Sequence, residues 1–296
     1  MLSYLRVLRP ADWIKNVFVF AALVFGDRVR DPRALRLSLA AFAAFCLAAS
    51  AGYIINDILD RDRDRLHPTK KNRPIACGAI SLTTAAALAG LLLAGAVAVC
   101  GLLPREFWCV LATYCCLTVS YSLLLKDRAI LDVLIIAVLF VLRAFGGACA
   151  INVPFSHWLL VCTFMLCLFL GFGKRRCEIV MIANEQDMRR HRPTLIRYTP
   201  DLLTHLLSTS AGIAIITFLL YTLDTASPSP FGARKQALVY TLPLVVYGVF
   251  RYAMLSELGK ATGPTDLILR DRPFLATILL WMAAAAAILY LGWPLA

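Results

Sequence analysis

No two of the ten cysteines are spaced C-x-x-C, and the four histidines, at positions 67, 157, 191 and 205, show no metal-ligand spacing. A thiolate or imidazole metal centre is therefore not encoded. Almost all the cysteines lie in apolar runs, where the residue behaves as a small buried hydrophobe. No small-x-small cleavage site follows the first apolar run, which meets Gly26-Asp27-Arg28 instead, so a cleaved secretory leader is not expected. No apolar segment carries the paired Gly/Pro break expected of a repeat-built transporter. Acidic residues are few, 18 against 30 Lys and Arg, which leaves a formal charge of +12. In a soluble chain that balance would point to nucleic acid.

A soluble chain is what the composition excludes. Of the 296 residues 60% are hydrophobic, and the mean hydropathy is +0.74. Ordinary soluble domains carry about 45–50% apolar residues. At about 20 residues per crossing helix, the apolar content furnishes roughly nine spans. Apolar segments fall near residues 12–26, 34–57, 81–103, 107–125, 129–150, 156–173, 199–222, 236–254 and 274–293. The first is the weakest and is read as a short or tilted helix. The expected fold is all-α, a nine-helix polytopic bundle with residues 1–296 as one membrane domain. Nucleic acid then drops out as a partner, and the lipid bilayer takes its place.

Nine spans place alternate loops on opposite sides. The side holding the N-terminus collects 22 of the Lys and Arg residues, the other side only seven, with Arg143 inside a span. By the positive-inside bias the N-terminus is cytoplasmic, and the protein is a multi-pass protein of the cell membrane. Fourteen of the 18 acidic residues sit on the same side, chiefly in loops near 58–80, 174–198 and 255–273. Topology does not require those carboxylates. Carboxylates mixed with cations are what a metal-bound phosphate compound needs.

The segment from Asn56 to Pro74 reads N-D-I-L-D-R-D-R-D-R-L-H-P-T-K-K-N-R-P and begins where the second span ends. On a continuing helix Asp57, Asp60 and Asp64 stand at i, i+3 and i+7, on one face, while Asp62 projects away. Mg²⁺ binds through one or two carboxylates together with substrate phosphates. Lys70, Lys71 and Arg73 follow, suited to phosphate oxygens. The bland alternative is a solvated helix end laced with ion pairs.

At these residues the chain resembles the UbiA-type intramembrane prenyltransferase superfamily, in its N-D-x-x-D-x-x-x-D motif after the second helix. Within that superfamily it is most similar to the phosphoribosyltransferases acting on decaprenyl-type phosphates. The supporting stretches are R-P-x-x-W-I-K-N at Arg9–Asn16, H-P-T-K-x-x-R-P-I-A at His67–Ala76, Y-S-x-x-L-K at Tyr121–Lys126 and V-L-R-A at Val141–Ala144. G-K-R-x-x-E at Gly173–Glu178 and D-x-x-x-R-D-R at Asp266–Arg272 also fit. The resemblance implies the nine-helix UbiA bundle, an enzyme, and Mg²⁺ (with Mn²⁺ as an alternative) held by Asp57, Asp60 and Asp64.

Superfamily members that use an isoprenyl diphosphate typically carry a second Asp-rich motif after the sixth helix. Here that loop reads Gly173-Lys174-Arg175-Arg176-Cys177-Glu178, then Asn184-Glu185-Gln186-Asp187, with no D-x-x-x-D. The implied reaction is transfer of 5-phosphoribosyl from phosphoribosyl diphosphate to a polyprenyl phosphate, for envelope glycan precursors. Prenyl transfer to an aromatic or other small acceptor is the competing reading. Lys15, Asn16, Lys70, Arg73, Lys126, Lys174 and Arg175 are the expected phosphate ligands. Asn56, Tyr121, Arg143, Glu178 and Asp271 are weaker substrate candidates, and Glu178 equally reads as a helical partner of Lys174 and Arg175. Arg143 has Asp132 three turns earlier on nearly the same face, so structural pairing and a pocket role both stay open. Asp266, Arg270, Asp271 and Arg272 stand ready to close the site, and a homo-oligomer stays open.

Overall fold

The computed structural model describes residues 2–66, 70–182, 193–227, 229–260, 267 and 270–292, and every regular element among them is helical. Eight helices in this set are long and apolar enough to cross a bilayer: Pro32–Leu59, Leu82–Cys100, Arg105–Leu125, Leu131–Ile151, His157–Met181, Pro200–Leu223, Arg234–Glu257 and Arg272–Leu291. The chain is a multi-pass membrane protein. It divides into two compact units, Met1–Phe155 and Ser156–Ala296.

In the first unit α1 (Leu2–Leu8) leads into a 3₁₀ segment, Pro10–Phe20, and then α2 (Ala21–Phe25). The weak first apolar segment is thus present as broken helix. An eleven-residue 3₁₀ run is unusual, because its hydrogen bonds are poorer than α-helical ones. What holds it is a close approach to α7 (Leu131–Ile151): a Cβ at Gly147 would lie 1.9 Å from the Val19 carbonyl oxygen. Asn16, fully buried in the same segment, accepts a 2.7 Å hydrogen bond from Arg143 Nε on α7.

The long α3 (Pro32–Leu59) is the spine of this unit. Its start is fixed by Pro32 at the first turn and by Asp31, whose carboxylate accepts from the Arg33 and Ala34 N–H groups. Buried Ala41, Ala44, Ala48, Ala51 and Gly52 give it a small-residue face that lets neighbours approach closely. Phe45 fills the centre, edge-on to Phe107 and Tyr114 of α6 (Arg105–Ser120) at 5.6 and 5.2 Å. Twenty-eight residues span about 42 Å against a hydrocarbon core of about 30 Å, so the last turns of α3 leave the apolar layer. There the chain passes Asp60 into α4 (Arg61–Leu66), before α5 (Leu82–Cys100) and α6 (Arg105–Ser120).

In the second unit α8 (His157–Met181) crosses α11 (Leu242–Glu257) at Gly173, where a Cβ would meet Tyr252 at 2.4 Å. Tyr252 donates to the Leu170 carbonyl at 2.7 Å. Arg176 on α8 pairs with Glu257 at 2.6 Å, and Glu257 also accepts from Thr204 on α9 (Pro200–Leu223). A short α10 (Arg234–Ala237) precedes α11. The last helix, α12 (Arg272–Ala286), is capped by Asp271, which accepts from the Phe274 N–H at 2.8 Å and from Arg251 at 3.1 and 2.8 Å.

The Arg251 guanidinium holds the Asp271 carboxyl below the ordinary carboxylate range, with burial opposing it. A depressed carboxyl stabilises the fold above its unfolded pKa, and that contribution is lost as pH falls through the folded one. Asp271→Asn keeps a capping acceptor. It is expected to lower Tm at neutral pH, with the gap to the parent protein closing as pH falls below about 4. Thermal scans across pH check this, and a gap that stays constant would remove the ion pair as its cause.

Candidate active site

Asp57 lies in the last turn of α3, Asp60 caps that helix, and Asp64 belongs to α4. The backbone stays nearly helical through the junction, since the Asp64 N–H donates to the Asp60 carbonyl at 2.8 Å. Asp57 and Asp64 are buried, whereas Asp62 is 92% exposed on the far side, as its register requires.

The two buried carboxylates converge on one point. Arg73 Nη1 donates to Asp57 Oδ1 at 3.0 Å and to Asp64 Oδ2 at 2.7 Å. Arg9 Nη2 reaches both oxygens of Asp57, at 2.7 and 2.9 Å. Asp60 turns elsewhere and accepts from Lys126 Nζ at 2.5 Å. The helical stripe thus unites Asp57 and Asp64 and leaves Asp60 to a separate partner. Burial pushes the Asp64 carboxyl above its ordinary value, opposed by Arg73 and Lys70.

Two irregular backbones bring these cations in. Arg9 sits between α1 and the 3₁₀ segment at φ 50°, ψ 58°, a left-handed conformation costly for a residue with a Cβ. Its guanidinium stacks over Tyr53, 5.0 Å from the ring centroid and one turn before Asp57. Lys126 follows a π-helical turn, Tyr121–Leu125, in which its N–H donates to the Tyr121 carbonyl. Such turns shift the register by one residue and are frequent at functional sites.

The other expected ligands fall into distinct settings. Lys15 pairs with Asp12 at 2.5 Å and lies 5.9 Å from the Tyr53 ring. Asn16 is wholly buried, its amide donating to Cys46 Sγ at 3.2 Å. Arg143 bonds Asn16, the Leu139 carbonyl and the Tyr114 hydroxyl, and stacks on Tyr114 and Phe140. The sequence spacing suggests Asp132 as its partner, but eleven residues separate them by about 16 Å along the helix axis, beyond one side chain's reach. Lys70 and Asn56 are half-buried beside the carboxylates in sequence, and Lys70 starts a 3₁₀ turn, Lys70–Asn72.

In the second unit Lys174 is exposed, while buried Arg175 pairs with Glu178 at 2.6 Å along α8. That is the helical pairing left open for Glu178. Asp271 gives its oxygens to Arg251 and the Phe274 N–H. Residues 67–69, 184–192 and 266 lie outside the described residues, so the H-P-T stretch and Asp266 have no structural account.

Arg9 and Tyr53 are the site residues that sequence reasoning missed. Arg9 opens the R-P-x-x-W-I-K-N stretch, but it stands 48 residues from Asp57, and no local spacing links the two.

Two carboxylates facing one cationic nitrogen form a donor set that suits a hard divalent ion completed by substrate phosphates. Among the described residues no group of three acidic, His or Cys side chains is arranged around an ion position. Asp57 and Asp64 would hold the ion, while Asp60 is engaged by Lys126.

Comparison with known proteins identifies the family. The profile of the UbiA prenyltransferase family matches residues 16–267. The decaprenyl-phosphate phosphoribosyltransferase of Mycolicibacterium smegmatis is 32% identical over 97% of this chain and 92% of its own length. Its Corynebacterium glutamicum counterpart is 30% identical over 97% and 86%. A UbiA homolog from Archaeoglobus fulgidus, solved bound to GPP and Mg²⁺, superposes with a TM-score of 0.73 over 97% of this chain and 99% of that one, at 19% identity.

Proposed function

The chain belongs to the UbiA prenyltransferase family and is a transferase, and from that premise we propose that it moves a 5-phosphoribosyl group from phosphoribosyl diphosphate to a polyprenyl phosphate. The relatives named for this reaction align almost end to end with it. The observation that carries the reading is the paired buried carboxylates, Asp57 and Asp64, held by Arg9 and Arg73, with the Asp60–Lys126 pair in the same segment. The last turns of α8 carry Lys174, Arg175 and Arg176 rather than a second acidic motif, which suits a substrate bearing a further phosphate.

In this reading Asp57 and Asp64 would hold Mg²⁺, or Mn²⁺ in its place, which when bound would supply charge neutralisation for the diphosphate leaving group. Arg9, Arg73 and Lys126 grip non-bridging oxygens of the same diphosphate. The acceptor phosphate oxygen attacks ribosyl C1 as diphosphate departs with the bonding pair. That oxygen is already ionised near neutral pH, since phosphate monoesters have a second pKa of about 6, so no protein base is needed. The protein's contribution is positioning and electrostatic stabilisation. The cationic bias supports a cytoplasmic N-terminus and a cytoplasmic Asp-rich segment. The product would feed envelope glycan synthesis.

The test incubates purified protein with Mg²⁺, labelled phosphoribosyl diphosphate and a polyprenyl phosphate, and extracts lipid. Label is expected in the lipid fraction. Unlabelled lipid, together with consumption of an isoprenyl diphosphate in the presence of an aromatic acceptor, would overturn the reading in favour of prenyl transfer.

A further inference from the structure

The Asp-rich segment is already neutralised by the protein itself. Asp57 and Asp64 are matched by Arg9 and Arg73, and Asp60 by Lys126, so three carboxylates meet three cations within one unit. Arg73 Nη1 stands 3.0 and 2.7 Å from the two carboxylate oxygens that face each other. A protein nitrogen therefore occupies the position that the donor set offers to an ion.

That arrangement makes either half of a metal–diphosphate unwelcome alone. A divalent cation arriving by itself must evict Arg73 and remain beside two guanidinium groups that have lost their counter-charge. A diphosphate arriving by itself meets carboxylates that already hold the arginines. When both arrive together, the metal takes the carboxylates and the arginines pass to phosphate oxygens, whose geometry suits bidentate guanidinium donors.

We infer that Arg9 and Arg73 are exchangeable counter-ions of the Asp57–Asp64 site, holding its carboxylates until a metal-bound diphosphate enters and then binding its phosphates. The inference rests on the proposed reading of this segment as a metal–diphosphate site, and it adds Arg9 to the substrate ligands. The backbone of Arg9 fits the role. Its left-handed conformation ahead of Pro10 and its stacking on Tyr53 hold the guanidinium beside Asp57. Its side chain is still 24% exposed, which leaves it room to turn towards an incoming anion.

The experiment measures Mn²⁺ bound to the full-length protein by equilibrium dialysis and electron paramagnetic resonance, with and without inorganic pyrophosphate. In the parent protein, Mn²⁺ alone is expected to bind weakly, and Mn²⁺–pyrophosphate at least 100-fold more tightly. Arg73→Gln is expected to move the two affinities in opposite directions: Mn²⁺ alone tightens at least tenfold, and Mn²⁺–pyrophosphate weakens at least tenfold. Arg9→Gln, which leaves Arg73 on both carboxylates, is expected to show the same signs, and Arg73→Lys, which keeps the charge, to stay near the parent. A purely structural role would weaken both affinities, and a simple phosphate ligand would leave Mn²⁺ alone unchanged. Either result in the Gln variants overturns the exchange. If Arg73→Gln does not fold, Arg9→Gln decides by the same signs. If the parent binds Mn²⁺ but pyrophosphate adds nothing, the diphosphate reading of the segment falls as well.

Discussion

Asp57→Asn is expected to reduce the proposed phosphoribosyl transfer by at least about a thousandfold, roughly 4 kcal/mol of transition-state stabilisation. The substitution keeps the shape of the side chain and removes one of the two charges that face the ion position. A site with Asp64 alone holds a divalent ion weakly, and the departing diphosphate then carries its charge without adequate neutralisation. The fold should survive. Arg73 retains Asp64 at 2.7 Å, and Arg9, which loses its carboxylate, is 24% exposed and can be hydrated in place. Asp62→Asn is the matched control. Asp62 lies on the same acidic segment but is 92% exposed, and it should retain full turnover. Steady-state transfer assays on both variants, with size-exclusion profiles to confirm folding, decide the matter. More than a tenth of parental activity in Asp57→Asn would remove Asp57 from the metal site.

Asp60 separates from the other two for a reason the helical period does not contain. The i, i+3, i+7 spacing places three carboxylates on one stripe, and Asp57 and Asp64 obey it. Asp60 caps α3, and Lys126 reaches it at 2.5 Å from the end of a π turn. A π turn has no clear signature in Y-S-L-L-L, because its cost and its reward both lie in tertiary contacts. The apolar segments, by contrast, were legible almost to the residue. The segment near 34–57 is Pro32–Leu59, and that near 199–222 is Pro200–Leu223. The largest departure is α8, which runs past residue 173 through Lys174, Arg175 and Arg176 to Met181. Helical hydrogen bonds continue where hydropathy stops, and Arg175 can pair with Glu178 only because they do. Arg9 was the least legible residue of all. Its pairing with Asp57 depends on a left-handed backbone turn and on a partner 48 positions away.

The broken first segment owes its position to Gly147, and Gly147→Ala is expected to show how much depends on it. A Cβ there would stand 1.9 Å from the Val19 carbonyl oxygen and 2.8 Å from its carbon, both backbone atoms that no rotamer change can move aside. The 3₁₀ segment must shift by more than an ångström, or α7 must bend. Overpacking of this kind costs about 1–3 kcal/mol, occasionally more, which for a chain of this length corresponds to a fall in Tm of roughly 2–5 °C. Gly90→Ala separates the clash from helix propensity. Gly90 is exposed on α5 with nothing within 4 Å of the added Cβ, so the same change there should be neutral or slightly stabilising. The clash also acts at a distance. The displaced segment carries Asn16, whose amide oxygen takes the buried Arg143 Nε–H, and it begins at Pro10, next to the strained Arg9. Gly147→Ala should therefore lose more transfer activity than its loss of folded protein explains, whereas a substitution that only loosens packing would lower both in proportion. Activity per folded molecule, measured below the Tm of the variant, distinguishes the two. An unchanged value would mean that the segment tolerates the shift without disturbing Arg9.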